Sequence, residues 1–172
     1  INSGTIQGGL GGDGVTRADA IRFTSGVNTL ELRAGSNIVG KVVGTTNDKF
    51  RLGGATDASF DISKLATSVG GAQQYQGFSA FEKDGTSTWT LTGASAFSGQ
   101  TYVNAGTLVV DGSLANSILT TVASGATLAG AGTVGSLTVS SGGVFAPGTS
   151  GVAGSSMTVS GNLTMAAGST YR

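Results

Sequence analysis

The chain has no cysteine and no histidine. Ser-His-Asp and Cys-His nucleophile arrangements are therefore excluded, and the usual zinc ligand sets cannot be assembled. Without disulfides, stability must come from another source such as repetitive sheet stacking. The same absence suits a chain that crosses a membrane unfolded, where a premature crosslink would jam it. Proline occurs once, at Pro147, and the 31 glycines among 172 residues follow no G-X-Y period, which excludes collagen. Charged residues make up only 10%, with nine basic against nine acidic side chains. Such a neutral, sparsely charged chain carries no electrostatic footprint for nucleic acid or an anionic membrane. No apolar run approaches the ~18 residues of a helical membrane span. Disorder is excluded as well, because 38% of residues are apolar and the β-branched types recur in ordered runs.

What is present is unevenly distributed. Up to Asp84 there are eight basic and eight acidic residues; from Gly85 onward only Asp111 and Arg172 remain. This shift, between Asp84 and Gly85, is the strongest domain-boundary signal in the chain. The length suits one domain or a slice of a longer elongated one. The chain opens at Ile1 without a signal segment and closes on a strand-like Gly168-Ser169-Thr170-Tyr171, so both ends are expected to be cut from something longer.

Short apolar strands punctuated by glycine dominate the pattern. In the first half, Ala20–Phe23, Val27–Leu32, Ile38–Gly44, Asp48–Gly54 and Ser59–Ile62 read as strands. Ile62, Leu65, Ala66 and Val69 sit at helical spacing before Gly70-Gly71, which predicts a short helical turn. Trp89-Thr90-Leu91-Thr92 alternates apolar with hydroxyl, as a half-buried strand does. Later, Gly106-Thr107-Leu108, Ala126-Thr127-Leu128, Gly143-Val144-Phe145 and Ser169-Thr170-Tyr171 look like one strand returning, with Leu108, Leu128, Phe145 and Tyr171 stacked. A second strand type is expected at Leu119–Val122, Ser136–Val139, Met157–Val159 and Asn162–Met165. Two or three short strands per coil of roughly twenty residues is the requirement of a parallel β-helix. A sandwich is the competing fold, but Asn-Gly hairpin dipeptides are missing and Asp111-Gly112 between strands is isolated.

Candidate chemistry is thin. After Gly85 a single carboxylate remains, so no acid/base pair can form there. Upstream, Asp57 and Asp61 stand four apart and Asp13 and Asp19 six apart; Asp57 with Asp61, or Asp48 with Arg51, are the places where glycan chemistry would be sought, and the competing reading is solvated turns. Gly8–Val15 fits one copy of the calcium nonapeptide, whose ion needs ligands from adjacent copies, and a single copy reads instead as a glycine corner. Phe78, Phe81, Trp89, Phe97 and Tyr102 are either a carbohydrate or peptide platform or core, with Tyr102 the most exposed member. Trp89 and Leu91 share a strand face, which favours core.

The stretch FEKDGTSTWTLTGASAFSGQTYVNAGTLVVDGSL resembles the repeat near the C-terminal end of autotransporter passenger domains. The likeness lies in Trp89–Gly93 (W-x-L-T-G), Phe97–Gly99 (aromatic-S-G) and Thr101–Val110 (T-x-V-N-A-G-T-L-x-V), and extends from Tyr75 to Ser150. It implies an all-β, right-handed parallel β-helix with a capping, autochaperone end. It implies further that residues 1–74 form passenger coils and 75–172 a folding and export module displayed on the bacterial cell surface. The expected folding core is Trp89, Leu91, Phe97, Tyr102, Leu108, Val110, Leu128 and Phe145. The expected partners are the chain's own translocator barrel and upstream coils, in a monomer, with no catalytic site, no cofactor and no metal. Two rivals stand beside this reading: an adhesin face for a host glycan or protein using Tyr102, Arg33, Lys41 and Arg51, and a glycan-cleaving enzyme.

Overall fold

A computed structural model of the chain describes residues 1–149 and 152–172; Ser150, the last residue of the resemblance, lies outside them. The described residues form a parallel β-helix whose coils build three strand faces. Glycine and small polar residues interrupt the apolar runs every few residues, so apart from Val42–Leu52 and Tyr75–Lys83 the strands stay short and the chain turns onto a new face each time.

The first face stacks Ile21–Arg22, Val42–Leu52, Tyr75–Lys83, Gln100–Val103, Leu119–Val122, Leu137–Val139 and Leu163–Met165 in chain order. Thr29–Leu32 also pairs with Val42–Leu52. The second face stacks Ala58–Asp61, Thr88–Thr92, Thr107–Val110, Thr127–Gly130, Val144–Pro147 and Thr170–Tyr171. A short third face holds Ser113–Leu114, Thr133–Val134 and Thr158–Val159. Near the start, Thr5–Gln7 pairs with Asn37–Val39. All of these pairings are parallel, so each strand finds its hydrogen bonds in the coils before and after it.

Register follows the period of two. On the second face Trp89, Leu108, Leu128, Phe145 and Tyr171 are successive partners, the last four as the recurring Gly-Thr-Leu pattern predicts. The alternate residues Thr88, Thr107 and Thr127 are partners on the outer surface, where a β-branched hydroxyl side chain meets both the pleat and water. Leu114, Val134 and Val159 form the corresponding inward row of the third face. Each fully buried Leu, Val or Phe in such a row contributes about 1.5–3 kcal/mol of transfer free energy before the cost of ordering the chain.

Two local expectations are corrected. Met157–Val159 does not join the second strand type: Thr158–Val159 continues the third face, and only Leu163–Met165 stacks on Leu137–Val139. The helical turn shrinks to a single 3-10 turn at Ile62–Lys64, capped by Asp61, whose carboxylate accepts from the Ser63 amide. Ile62, Leu65 and Ala66 are buried but Val69 is exposed, because Leu65 returns to extended backbone and bridges Tyr75.

Candidate functional site: the aromatic junction

At the centre of the stack, the charged, irregular coils meet the uncharged, regular ones. Strand alternation turns Phe50 and Leu52 inward while Lys49 and Arg51 face out. Phe50 is the hub: its ring centroid lies 5.0 Å from Phe60 and from Tyr75, 5.6 Å from Phe78 and 6.2 Å from Phe81. Tilted and edge-on pairs of this kind contribute about 0.5–1.5 kcal/mol each beyond area burial. Tyr75 carries a hydroxyl into this cluster, and burial pushes its pKa up to about 12.

Trp89 caps the junction from the second face. Its backbone lies between Ala58 and Leu108, and its indole Nε1 donates to the Gly53 carbonyl at 3.1 Å, so the buried donor is satisfied. Phe97 is enclosed by the turn that follows. The Ser95 Oγ accepts from the Phe97 amide at 2.9 Å, and Thr67 Oγ1 accepts from the Ser98 amide at 3.0 Å. Gly99 leaves room for this ring: a Cβ there would stand 2.6 Å from Phe97 Cζ.

Seven of the eight named core residues, Trp89, Leu91, Phe97, Leu108, Val110, Leu128 and Phe145, lie in one buried cluster. Tyr102 does not. Thr101 and Val103 point inward on its strand, so Tyr102 faces out, half-buried, with its hydroxyl bonded to Gln100. Phe78, Phe81, Trp89 and Phe97 are all buried and offer no aromatic platform. Phe50, Phe60 and Tyr75 are core residues absent from that group of eight; the alternation in Asp48–Leu52 was the signal for Phe50.

The proposed chemical groupings separate in space. Asp57 accepts from the Thr88 amide at 2.7 Å and Asp61 from Ser63, each tying down a turn. Asp48 is buried: its carboxylate accepts from the Asn28 amide (2.7 Å), Asn28 Nδ2 (2.9 Å), the Thr45 amide (2.7 Å) and Thr45 Oγ1 (3.1 Å). Burial works to raise that carboxyl, and these bonds outweigh it and hold it below its ordinary 3.8. Arg51 faces away from it, toward Glu82 at 2.6 Å, with Glu31 and Asp84 both at 3.8 Å. Asp13, in the single glycine-rich copy, accepts from Thr16 and the Val15 amide, and Asp19 pairs with Arg22. Of the basic residues considered for a ligand face, Arg33 joins the same acidic row through Glu31 (2.8 Å), whereas Lys41 donates to the Gly71 carbonyl at 3.0 Å.

A family model described as the passenger-associated-transport-repeat matches residues 81–110, from the junction strand through the first regular second-face strand. The chain is also 40% identical over 100 residues to the adhesin BmaC autotransporter of Brucella suis biovar 1 (strain 1330). That alignment covers 56% of this chain and 3% of the adhesin's length. No solved structure matches. The two matches support an autotransporter passenger segment, and they indicate display across the bacterial outer membrane.

Proposed function

We propose that residues 75–172 are the folding and export module of an autotransporter passenger, and that residues 1–74 are coils it supports. The observation behind this reading is the packing gradient at the matched repeat. Within residues 75–172 the buried aromatics Tyr75, Phe78, Phe81, Trp89 and Phe97 gather at this end, against coils that are regular and nearly free of charge. In a stack of coils, nucleation is the costly step, and each later coil adds to a preformed edge. The densest aromatic packing is the favoured place to meet that cost. The uncharged surface beyond it removes like-charge repulsion and desolvation penalties between coils.

In this role the segment acts on its own chain. Its partners are the upstream coils and a translocator barrel in the same polypeptide, in a monomer. The curated relative is named an adhesin, which favours a non-enzymatic passenger. The test is replacement of Trp89 and Phe97 by alanine in the full-length parent on whole cells, scoring protease resistance of surface passenger. Passenger that stalls or is degraded supports the module. Passenger that arrives folded and only stops adhering overturns it.

A second reading is an adhesin face. It is favoured by a groove of about 430 Å³ beside Glu31, Arg33, Arg51 and Asp84, together with the relative's name. Binding of the displayed passenger to a glycan array, lost on Arg33→Ala, would support it.

A further inference from the structure

One inward row of the first face is apolar with a single exception. On the first face, Leu32, Leu52, Lys83, Val103, Val122, Val139 and Met165 are successive partners, and a lysine stands in the middle. Lys83 is 0% exposed. Its ammonium donates to the carbonyls of Asp84 (2.8 Å), Gly85 (3.0 Å) and Ala105 (3.0 Å). Two of these acceptors belong to its own corner and the third to the corner of the next coil. All three ammonium protons are therefore used, and one of them joins two coils. Gly106 keeps the space: a Cβ there would lie 2.8 Å from Nζ and 2.5 Å from the Gly85 carbonyl oxygen, and its φ of 65° suits glycine.

We infer that Lys83 is the register key of the stack, a buried cation whose only complete set of acceptors forms when the Tyr75–Lys83 coil lies directly on the Gln100–Val110 coil. An apolar row does not distinguish one rung from another, since Val103, Val122 and Val139 offer the same face. A chain of similar coils can then skip a rung at little cost. A buried ammonium changes this, because any other stacking leaves it without the Ala105 carbonyl, and a buried charged donor with one proton unused is disfavoured. A single polar residue in an apolar seam fixes register in coiled coils by the same logic. A slip by one residue is excluded too, since it would turn Lys83 to the outer surface and Glu82 to the interior. Burial lowers the lysine's pKa, with Asp84 and Asp57 opposing. In the folding module proposed above, on which the biological use of this device rests, Lys83 would verify the coil arriving on the one already formed.

The test uses the full-length passenger in a cysteine-free background. Ala80, Gln100 and Leu119 are successive partners in one row. Adjacent rungs about 4.8 Å apart permit a disulfide, whereas two rungs do not. With Lys83 present, Ala80→Cys with Gln100→Cys should crosslink and Ala80→Cys with Leu119→Cys should not. In Lys83→Met, the 80–119 crosslink should rise at least about tenfold, the selectivity one unsatisfied buried donor provides. Lys83→Ala should behave alike, and propylammonium, which replaces the missing carbons and charge, should restore the 80–100 crosslink where tetramethylammonium does not. Unchanged 80–100 crosslinking in both variants overturns the inference. If neither variant crosslinks at either pair, recovery of the 80–100 product with propylammonium supports it and failure to recover overturns it. Misregistered passenger that still reaches the surface protease-resistant would sink the folding-module reading and leave the lysine's role standing. Lost display with the single correct crosslink would do the reverse.

Discussion

Asp48→Asn probes how the irregular half of the stack is held. Strand Val42–Leu52 loses register with Tyr75–Lys83 between Val43 and Asp48. Within that bulge Thr46 adopts φ 67°, an unfavourable region for a β-branched residue. The Asp48 carboxylate holds the bulge through four accepted bonds from Asn28 and Thr45. An amide keeps one oxygen for Asn28 but presents an NH2 to Thr45. The Thr45 hydroxyl can turn and accept from it; the Thr45 backbone N–H cannot and loses its partner. One stranded donor, with the weakening of the charge-assisted bonds that remain, should cost about 2–3 kcal/mol. Chemical denaturation at pH 7, monitored at Trp89, measures this directly. The pH dependence supplies an internal control. The folded carboxyl is held below the ordinary 3.8, so its stabilisation is complete above 3.8 and is lost as pH falls through the lowered folded value. The difference between wild type and variant should therefore shrink below pH 3.8. A cost under about 0.5 kcal/mol, within the range of ordinary surface substitutions, or a gap that does not close in acid, would refute this account of the bulge.

Tyr75→Phe should be close to neutral at pH 7 but more resistant to alkali. The unfolded phenol ionises near 10.0 whereas the folded one holds its proton to about 12, so wild type loses stability as pH rises across that window and the variant does not; parallel stability curves from pH 9 to 12 would contradict it. Leu108→Ala removes the partner shared by Trp89 and Leu128 and should cost about 2–5 kcal/mol, read as a lower denaturation midpoint; a loss below 1 would mean the row is not close-packed. Gly99→Ala drives a methyl group onto the Ser79 carbonyl oxygen and to 2.6 Å from Phe97 Cζ and should cost about 1–3 kcal/mol, of which Phe97→Leu should restore only the share due to the ring in a double-mutant cycle.

The regular half was legible because its period is simple. Gly-Thr-Leu and its variants mark the later second-face strands and put Leu108, Leu128, Phe145 and Tyr171 in one row, to which the structure adds Trp89. The same rule, applied to Thr101-Tyr102-Val103, would have turned Tyr102 outward. The first half resisted because its strands are unequal and one carries a bulge, which breaks any fixed repeat. Asp48 and Arg51 look like neighbours in sequence, yet an odd separation in a strand points them to opposite sides. Thr158–Val159 was misplaced because a two-residue strand shows no alternation from which to choose a face. Lys83 was invisible as an interior residue, since lysines are almost never fully buried unless paired and its acceptors are backbone carbonyls that leave no side-chain signature.

The order in which the passenger becomes protected during export tests the central claim most directly. Full-length passenger would be pulse-labelled in cells, export arrested at intervals, and external protease followed by peptide mapping used to read which regions resist first. The account predicts that peptides from residues 75–172 become resistant before those from 1–74 and before the rest of the passenger, and that Trp89→Ala with Phe97→Ala abolishes this lead. Resistance appearing first upstream, or at once along the whole chain, would contradict it.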